Sequence, residues 1–423
     1  MATDAAIHDP LLLEALDAAR ARTLALAGAI DRGDLERQLH PLMSPLVWDL
    51  AHIAAYEDLW LVHRHGGEPL LRADLAATYD AFETPRAVRG TVELLDGPGS
   101  IEYLAAVRER ARSVTASRGA DPILHELVLQ HELQHVETML QTITLAGLDG
   151  FAPPHRTAVP ASDAAHTGLE FVPITVSPAG LEVGAAPEGF AYDNERPRHR
   201  VAVAPFELGR TLVTNAAWLA FIGDGGYTRR EHWCADGWAW RSDEAIEHPL
   251  HWVAPASSGA GWSERTALGL RPLDAHRPAA HVSWFEACAF ARAHGARLPT
   301  EHEWEAAAQW SGAAPPAAHL GQTAFDTAPV GAHPDGAADC GALDLLGNLW
   351  EWTATQFDGY PGFSAFPYPE YSEVFFGRGY RVLRGGSWAT DARVATRTFR
   401  NWDLPQRRQI FAGVRLARSL EAA

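Results

Sequence analysis

Over residues 1–150, apolar positions recur every three or four residues, the spacing of amphipathic helices. Asp9-Pro10 reads as an N-cap followed by proline at the first helical position, and the apolar period carries on to Ile30. Ser44-Pro45 repeats the signal ahead of Leu46, Trp48, Leu50, Ile53 and Tyr56. Gly99-Ser100 precedes a third stripe of Ile101, Leu104, Val107 and Ala111, and Asp121-Pro122 opens a fourth helix that ends near Gly147. Four such segments predict an antiparallel helical bundle. The connection from about 66 to 98 is long and carries Arg86 and Arg89. Long loops of this kind are frequently functional.

Beyond residue 150 the pattern changes. Residues 151–168, rich in Pro, Ala and Ser, read as a linker. After them, short apolar runs such as Thr175-Val176-Ser177 and Val201-Ala202-Val203 alternate with Gly, Pro and Asp. Helical signals shrink to Asn215–Ile222, Ser283–His294 and Thr300–Gln309. The expected fold class is α+β in two domains, a helical bundle over 1–150 and a mixed, irregular domain over 169–423. A chain of 423 residues exceeds what one compact core organises, and 47% hydrophobic residues suffice for two.

Charge and cysteine usage narrow the function classes. A net charge of −18 argues against nucleic acid or an anionic membrane as partner. No apolar run approaches a membrane span, and residues 1–10 lack the basic, apolar opening of a secretory signal. Cys234, Cys288 and Cys340 are scattered, which fits a reducing, cytoplasmic setting.

The chemistry concentrates at His131-Glu132-Leu133-Gln134-His135-Val136-Glu137 on the fourth helix. Two histidines four apart share a helix face and can grip one metal ion, and His52 on the second helix offers a third imidazole. Three neutral nitrogens with open positions suit Zn, Fe or Cu. The stretch also satisfies the His-Glu-x-x-His pattern of zinc proteases, in which Glu132 would be the base. A zinc hydrolase and a non-catalytic, metal-stabilised binding protein stay open on spacing alone.

The second half carries ordered strings: His281-Val282-Ser283-Trp284, Gly295 to Glu305 (Gly-Ala-Arg-Leu-Pro-Thr-Glu-His-Glu-Trp-Glu), Gly347-Asn348-Leu349-Trp350-Glu351-Trp352, Arg384-Gly385-Gly386-Ser387-Trp388 and Gly413-Val414-Arg415. Together they resemble the formylglycine-generating-enzyme (sulfatase-modifying factor) domain, a variant of the C-type lectin fold. The first half resembles a DinB-like bundle, and the whole resembles the iron(II)-dependent sulfoxide synthases of ergothioneine biosynthesis. Arg384-Gly385-Gly386-Ser387 continues to Arg393 without a cysteine, so the copper–dithiolate chemistry of formylglycine-generating enzymes is not expected, and only the fold is inherited.

The resemblance implies Fe(II) held by His52, His131 and His135, with Glu137 outside the ligand set. It implies γ-glutamylcysteine, hercynine (Nα-trimethylhistidine) and O2 as substrates, with sulfur joined to the imidazole C2 and oxidised to a sulfoxide. An ovothiol-type synthase, using cysteine and histidine, is the neighbouring alternative. Tyr368, within Phe366-Pro367-Tyr368-Pro369-Glu370-Tyr371, matches the family's proton-donating phenol. Arg86, Arg89 and Asp403 would bind the carboxylates and amine of the thiol substrate. Gln134, Tyr371, Asn401 and Trp402 would face hercynine, Trp402 offering an aromatic wall to its cation. The site would then draw ligands from the bundle and Tyr368 and Asp403 from the second domain. Asn348 and Glu351 lie where related domains hold a calcium; a structural hydrogen-bond role is the first reading for them, and a structural Ca(II) the alternative.

Overall fold

A computed structural model describes residues 5–148, 150–153, 155–159, 168–257, 261–312 and 316–420. The chain forms two compact units. The first is 1–155 with the short segments 188–190 and 267–269; the second is 156–187, 191–266 and 270–423. Much of the linker expected over 151–168, namely 154 and 160–167, lies outside the described residues.

The first unit is helical: α1 Ala5–Gly28, α2 Arg32–Glu36, α3 Leu46–Glu57, α4 Gly97–Arg118 and α5 Pro122–Ala146. The ends of α5 are where the sequence puts them. Asp121 accepts from the backbone N–H of Ile123 and Leu124, Pro122 occupies the first turn, and Gly147 adopts the left-handed conformation (φ 60°) that ends a helix. Elsewhere the caps differ. Helix α1 begins upstream of Asp9-Pro10, with Pro10 inside it. Helix α4 is capped by Asp96, whose side chain accepts from Gly99 N–H, so the helix begins ahead of Gly99-Ser100. At α3 the N-cap is Pro45, and the Ser44 hydroxyl instead accepts from Arg89 Nη1 at 2.7 Å. Helix α3 also runs on as a π-helical turn over Asp58–His65.

Trp48, Leu50, Leu61, Val107, Leu127 and Val136 bury the apolar stripes of the bundle. Among them sits a buried ionic quartet. Arg20 donates to Glu57 (2.7 Å) and Glu132 (2.8 Å), and Arg108 to Glu57 (2.6 Å) and Glu132 (3.3 Å). Thr23 adds a hydroxyl bond to Glu132 at 2.8 Å. Two guanidinium and two carboxylate groups cancel in charge. Deleting one member of such a set strands a buried charge and costs about 3–5 kcal/mol.

The second unit is α+β. Its strands are β1 Phe171–Ile174, β2 Leu181–Val183, β3 His199–Val201, β4 Phe206–Gly209, β5 Trp252–Val253, β6 Ser263–Thr266, β7 Gly269–Pro272 (all but its first residue), β8 Trp350–Gln356, β9 Arg381–Arg384, β10 Asn401–Asp403, β11 Ala412–Gly413 and β12 Ala417–Ser419. They form sheets ordered β1-β4-β12, β10-β9-β8-β11, β2-β3 and β5-β6-β7. The apolar runs expected at 175–177 and 201–203 therefore pair earlier in the chain, over 171–174 and 199–201. Helices α6 Asn215–Gly223, α7 Ala235–Asp243, α8 Trp284–Ala293 and α9 Glu301–Ala307 complete the unit. Helices α8 and α9 begin at capping boxes, Ser283 with Glu286 and Thr300 with Glu303. The β10-β9 pairing sets Asn401 opposite Leu383 and Asp403 opposite Arg381. No helix among the described residues is long and apolar enough to cross a membrane.

Candidate active site

In the first unit, α3 and α5 bring His52, His131 and His135 together. One nitrogen from each lies within 4.8 Å of the others, and among the described residues this is the group able to hold a metal ion. His52 and His131 approach through their Nε2 atoms at 3.1 Å. Nitrogens bound about 2.1 Å from one ion at right angles stand about 3 Å apart, so the spacing fits. Two of the outer nitrogens have partners. His52 Nδ1 donates to the Tyr79 carbonyl (2.6 Å), leaving Nε2 with its lone pair turned to the cluster, and His135 Nδ1 faces the buried Asp49 carboxylate at 3.1 Å. A carboxylate or carbonyl behind an imidazole fixes the tautomer and raises ligand basicity. Burial first, and the neighbouring His135 second, hold the His52 and His131 imidazoles well below their usual range, in the neutral form a metal needs.

Aromatic rings brace the cluster. Tyr56 stacks on His131 with centroids 3.7 Å apart, and Trp48 stacks on His52 at 4.6 Å. The Arg89 guanidinium lies 3.3 Å from the Trp48 centroid. Arg89 thus contacts the indole that stacks on His52. Arg86 and Arg89 differ in their surroundings. Arg86 is exposed, whereas Arg89 is 4% exposed and tied to the Thr84 carbonyl (2.9 Å), Ser44 Oγ (2.7 Å) and the Ala81 carbonyl (3.2 Å). Those three bonds leave two of its five N–H donors uncommitted among the described residues. Burial lowers its pKa to about 10, still cationic at neutral pH. Gln134 sits between His131 and His135 in sequence, half-buried, with its amide donating to the Gln130 carbonyl at 3.2 Å.

Glu132 is not placed as a base. It is fully buried, about 100° around α5 from His131, and its carboxylate accepts from Arg20, Arg108 and Thr23. The zinc-protease pattern is present in letters while its catalytic carboxylate is committed to the ionic quartet.

In the second unit, Tyr368, Tyr371 and β10 form an aromatic group. Tyr371 meets Tyr368 edge-on at 6.4 Å, stacks on Tyr192 at 4.2 Å and meets Trp402 edge-on at 5.7 Å. Trp402 stacks on Phe357 at 4.2 Å. Burial raises the Tyr371 phenol well above its ordinary pKa, so it stays protonated. Asn401 Oδ1 accepts from Trp402 N–H at 2.9 Å. Asp403 accepts from Leu404 N–H (2.7 Å) and from Gln409 Nε2 (3.1 Å), with Arg407 Nε 3.7 Å away. Asp49, Tyr79, Tyr192 and Gln409 all went unflagged in the sequence, where none belongs to a recognisable spacing.

Asn348 and Glu351 take the structural hydrogen-bonding role. Glu351 is fully buried and accepts from Arg415 (2.7 Å) and Trp304 Nε1 (2.9 Å), while the Asn348 amide bonds both ways with the backbone of Ala328. Both side chains are spent inside the fold.

A three-histidine bundle followed by a mixed α+β domain is the architecture of a recognisable class. Residues 15–139 match the DinB superfamily, and 172–420 match the sulfatase-modifying factor enzyme 1-like domain. The chain belongs to the hercynine oxygenase family. It is 43% identical to the hercynine oxygenase of Mycolicibacterium thermoresistibile, covering 97% of this chain and 95% of that one. It is 44% identical to the hercynine oxygenase of Mycobacterium tuberculosis, covering 94% and 96%. Ergothioneine biosynthesis protein 1 of Schizosaccharomyces pombe is 27% identical over 54% of this chain and 28% of that protein.

Proposed function

We propose that this protein joins γ-glutamylcysteine to hercynine with O2, giving the S-linked sulfoxide, a step toward ergothioneine. The observation that carries the reading is the braced three-imidazole cluster of His52, His131 and His135 in a chain of this family. The stoichiometry closes. The thiol gives up its S–H hydrogen and the imidazole its C2–H hydrogen, and both leave as water with one oxygen atom. The other oxygen becomes the sulfoxide oxygen, and O2 takes up four electrons. Fe(II) bound by the three histidines would supply the activation of O2.

The chain's own residues would orient the partners and move the proton. Arg86 and Arg89 would take the thiol substrate's carboxylates, and Asp403 its ammonium group. Gln134, Tyr371, Asn401 and Trp402 would hold hercynine, with ring faces toward the trimethylammonium. The Tyr368 Oη–H would deliver a proton during the oxygen step and so favour C–S bond formation over oxidation of the thiol alone. Holding both substrates at one site replaces diffusion with proximity.

The test is anaerobic Fe(II) loading followed by O2 uptake with both substrates; sulfoxide formation is expected only with iron, O2 and both partners. Activity supported by zinc without O2 would overturn the reading. The two arginines should separate on substitution. Arg86→Ala should raise KM for γ-glutamylcysteine about tenfold or more and leave KM for hercynine nearly unchanged. Arg89→Ala should do the same and also lower the melting temperature, because its side chain ties Ala81, Thr84 and Ser44 together. Steady-state kinetics with each substrate varied, together with thermal melts, check both; equal KM effects on the two substrates would refute the assignment.

A further inference from the structure

Tyr368 lies on a segment without long regular structure, and something must hold its phenol in place. The segment is gripped by a distant turn, the 3-10 turn Asp193–Glu195 with Tyr192 before it. Asp193 is 3% exposed. Its Oδ1 accepts from Ser372 Oγ at 2.6 Å and its Oδ2 from Phe366 N–H at 3.2 Å. The two bonds land on either side of Tyr368. Tyr192, 1% exposed, stacks on Tyr371 with ring planes 6° apart. The other end of the same turn grips the segment leading into β10: Glu195 Oε2 accepts from Thr398 Oγ1 (2.6 Å), and Arg400 Nη1 donates to the Asn194 carbonyl (2.6 Å). One short turn therefore spaces the Tyr368–Tyr371 segment against Asn401–Asp403.

We propose that Asp193 is a positioning residue for the Tyr368 phenol and thereby sets the partition between C–S bond formation and oxidation of the thiol alone. The proposal rests on the reading of Tyr368 as the proton donor. In the side reaction the thiol sulfur takes both atoms of O2 to become a sulfinic acid, with no bond made to hercynine. Proton delivery requires heavy atoms within hydrogen-bond reach of each other, and a misplacement of about 1 Å costs about a hundredfold. A carboxylate accepting on both sides of the tyrosine removes that freedom, and charge-assisted bonds are the strong ones. Asparagine at 193 places an N–H₂ group where a second acceptor is needed. Ser372→Ala removes one of the two bonds from the other side and leaves the carboxylate intact.

The experiment measures the sulfinate-to-sulfoxide ratio in the iron-loaded enzyme for Asp193→Asn, Ser372→Ala, Tyr368→Phe and the Asp193→Asn/Tyr368→Phe double variant. Tryptic cleavage after the exposed Arg378 is followed alongside. Asp193→Asn and Ser372→Ala should each raise the ratio about tenfold, the scale of one lost charge-assisted bond, and speed the cleavage. In the Tyr368→Phe background, Asp193→Asn should add less than about twofold, since the group through which it acts is gone. Unchanged ratios in both single variants, or an undiminished effect in the Tyr368→Phe background, would overturn the positioning role and leave the donor assignment standing. A Tyr368→Phe enzyme with the wild-type ratio would overturn the donor assignment and the positioning role together.

Discussion

His131→Ala should empty the metal site and reduce turnover by about three orders of magnitude or more, with the bundle still folded. Disturbing even a partner behind a ligand costs about 10–100-fold in metal affinity, and removing one imidazole of three takes away a direct bond. The fold should survive because the ionic quartet that engages Glu132, one residue on, is left intact. Asp49→Ala, which leaves all three imidazoles but unfixes His135, should show the intermediate 10–100-fold loss of affinity. Metal content after gel filtration, O2 uptake and circular dichroism melts make the comparison. A His131→Ala protein that retained one iron per chain would show that the cluster is not the metal site.

Tyr368→Phe should lower sulfoxide formation by about a hundredfold and turn most consumed thiol into its sulfinic acid. The substitution deletes one hydroxyl and keeps the ring, so the edge-on contact with Tyr371 at 6.4 Å and the hydrogen bonds that Asp193 accepts from Ser372 Oγ and Phe366 N–H remain available. Substrate binding should therefore change little while the products change greatly. Mass spectrometry of both products against O2 consumed measures the partition, and an undiminished sulfoxide yield would show that the proton comes from elsewhere.

What could be read from the chain was local. The ends of α5 are set by Asp121-Pro122 and Gly147, whose effects reach only a few residues, and the His131/His135 pair follows from the helix they define. Pairings across long separations were out of reach. Asp193 meets Ser372 across 179 positions, and Glu351 meets Arg415 across 64; the second contact is what gives Glu351 its structural role. Arg86 and Arg89, three apart, looked equivalent, and only the fold of their loop buries one over Trp48. The turn past α3 was equally hidden. Its wider coil over 58–65 ends at Gly66, where a Cβ would stand 2.4 Å from the Val62 carbonyl, a constraint set by packing and not by any nearby signal.

The Arg20–Glu57–Arg108–Glu132 quartet also bears on how this scaffold can evolve. A route from this bundle to a hydrolase would have to free Glu132 for work on water. Any single substitution that did so would leave an odd charge in the interior, and freeing Glu132 from both arginines means replacing Arg20, Arg108 and Glu57 together, which leaves the Glu132 carboxylate without a buried counter-charge. The two chemistries share a five-letter signature, yet a fitness valley several substitutions wide lies between them, and a pattern search that ignores the arginines will place this chain on the wrong side of it.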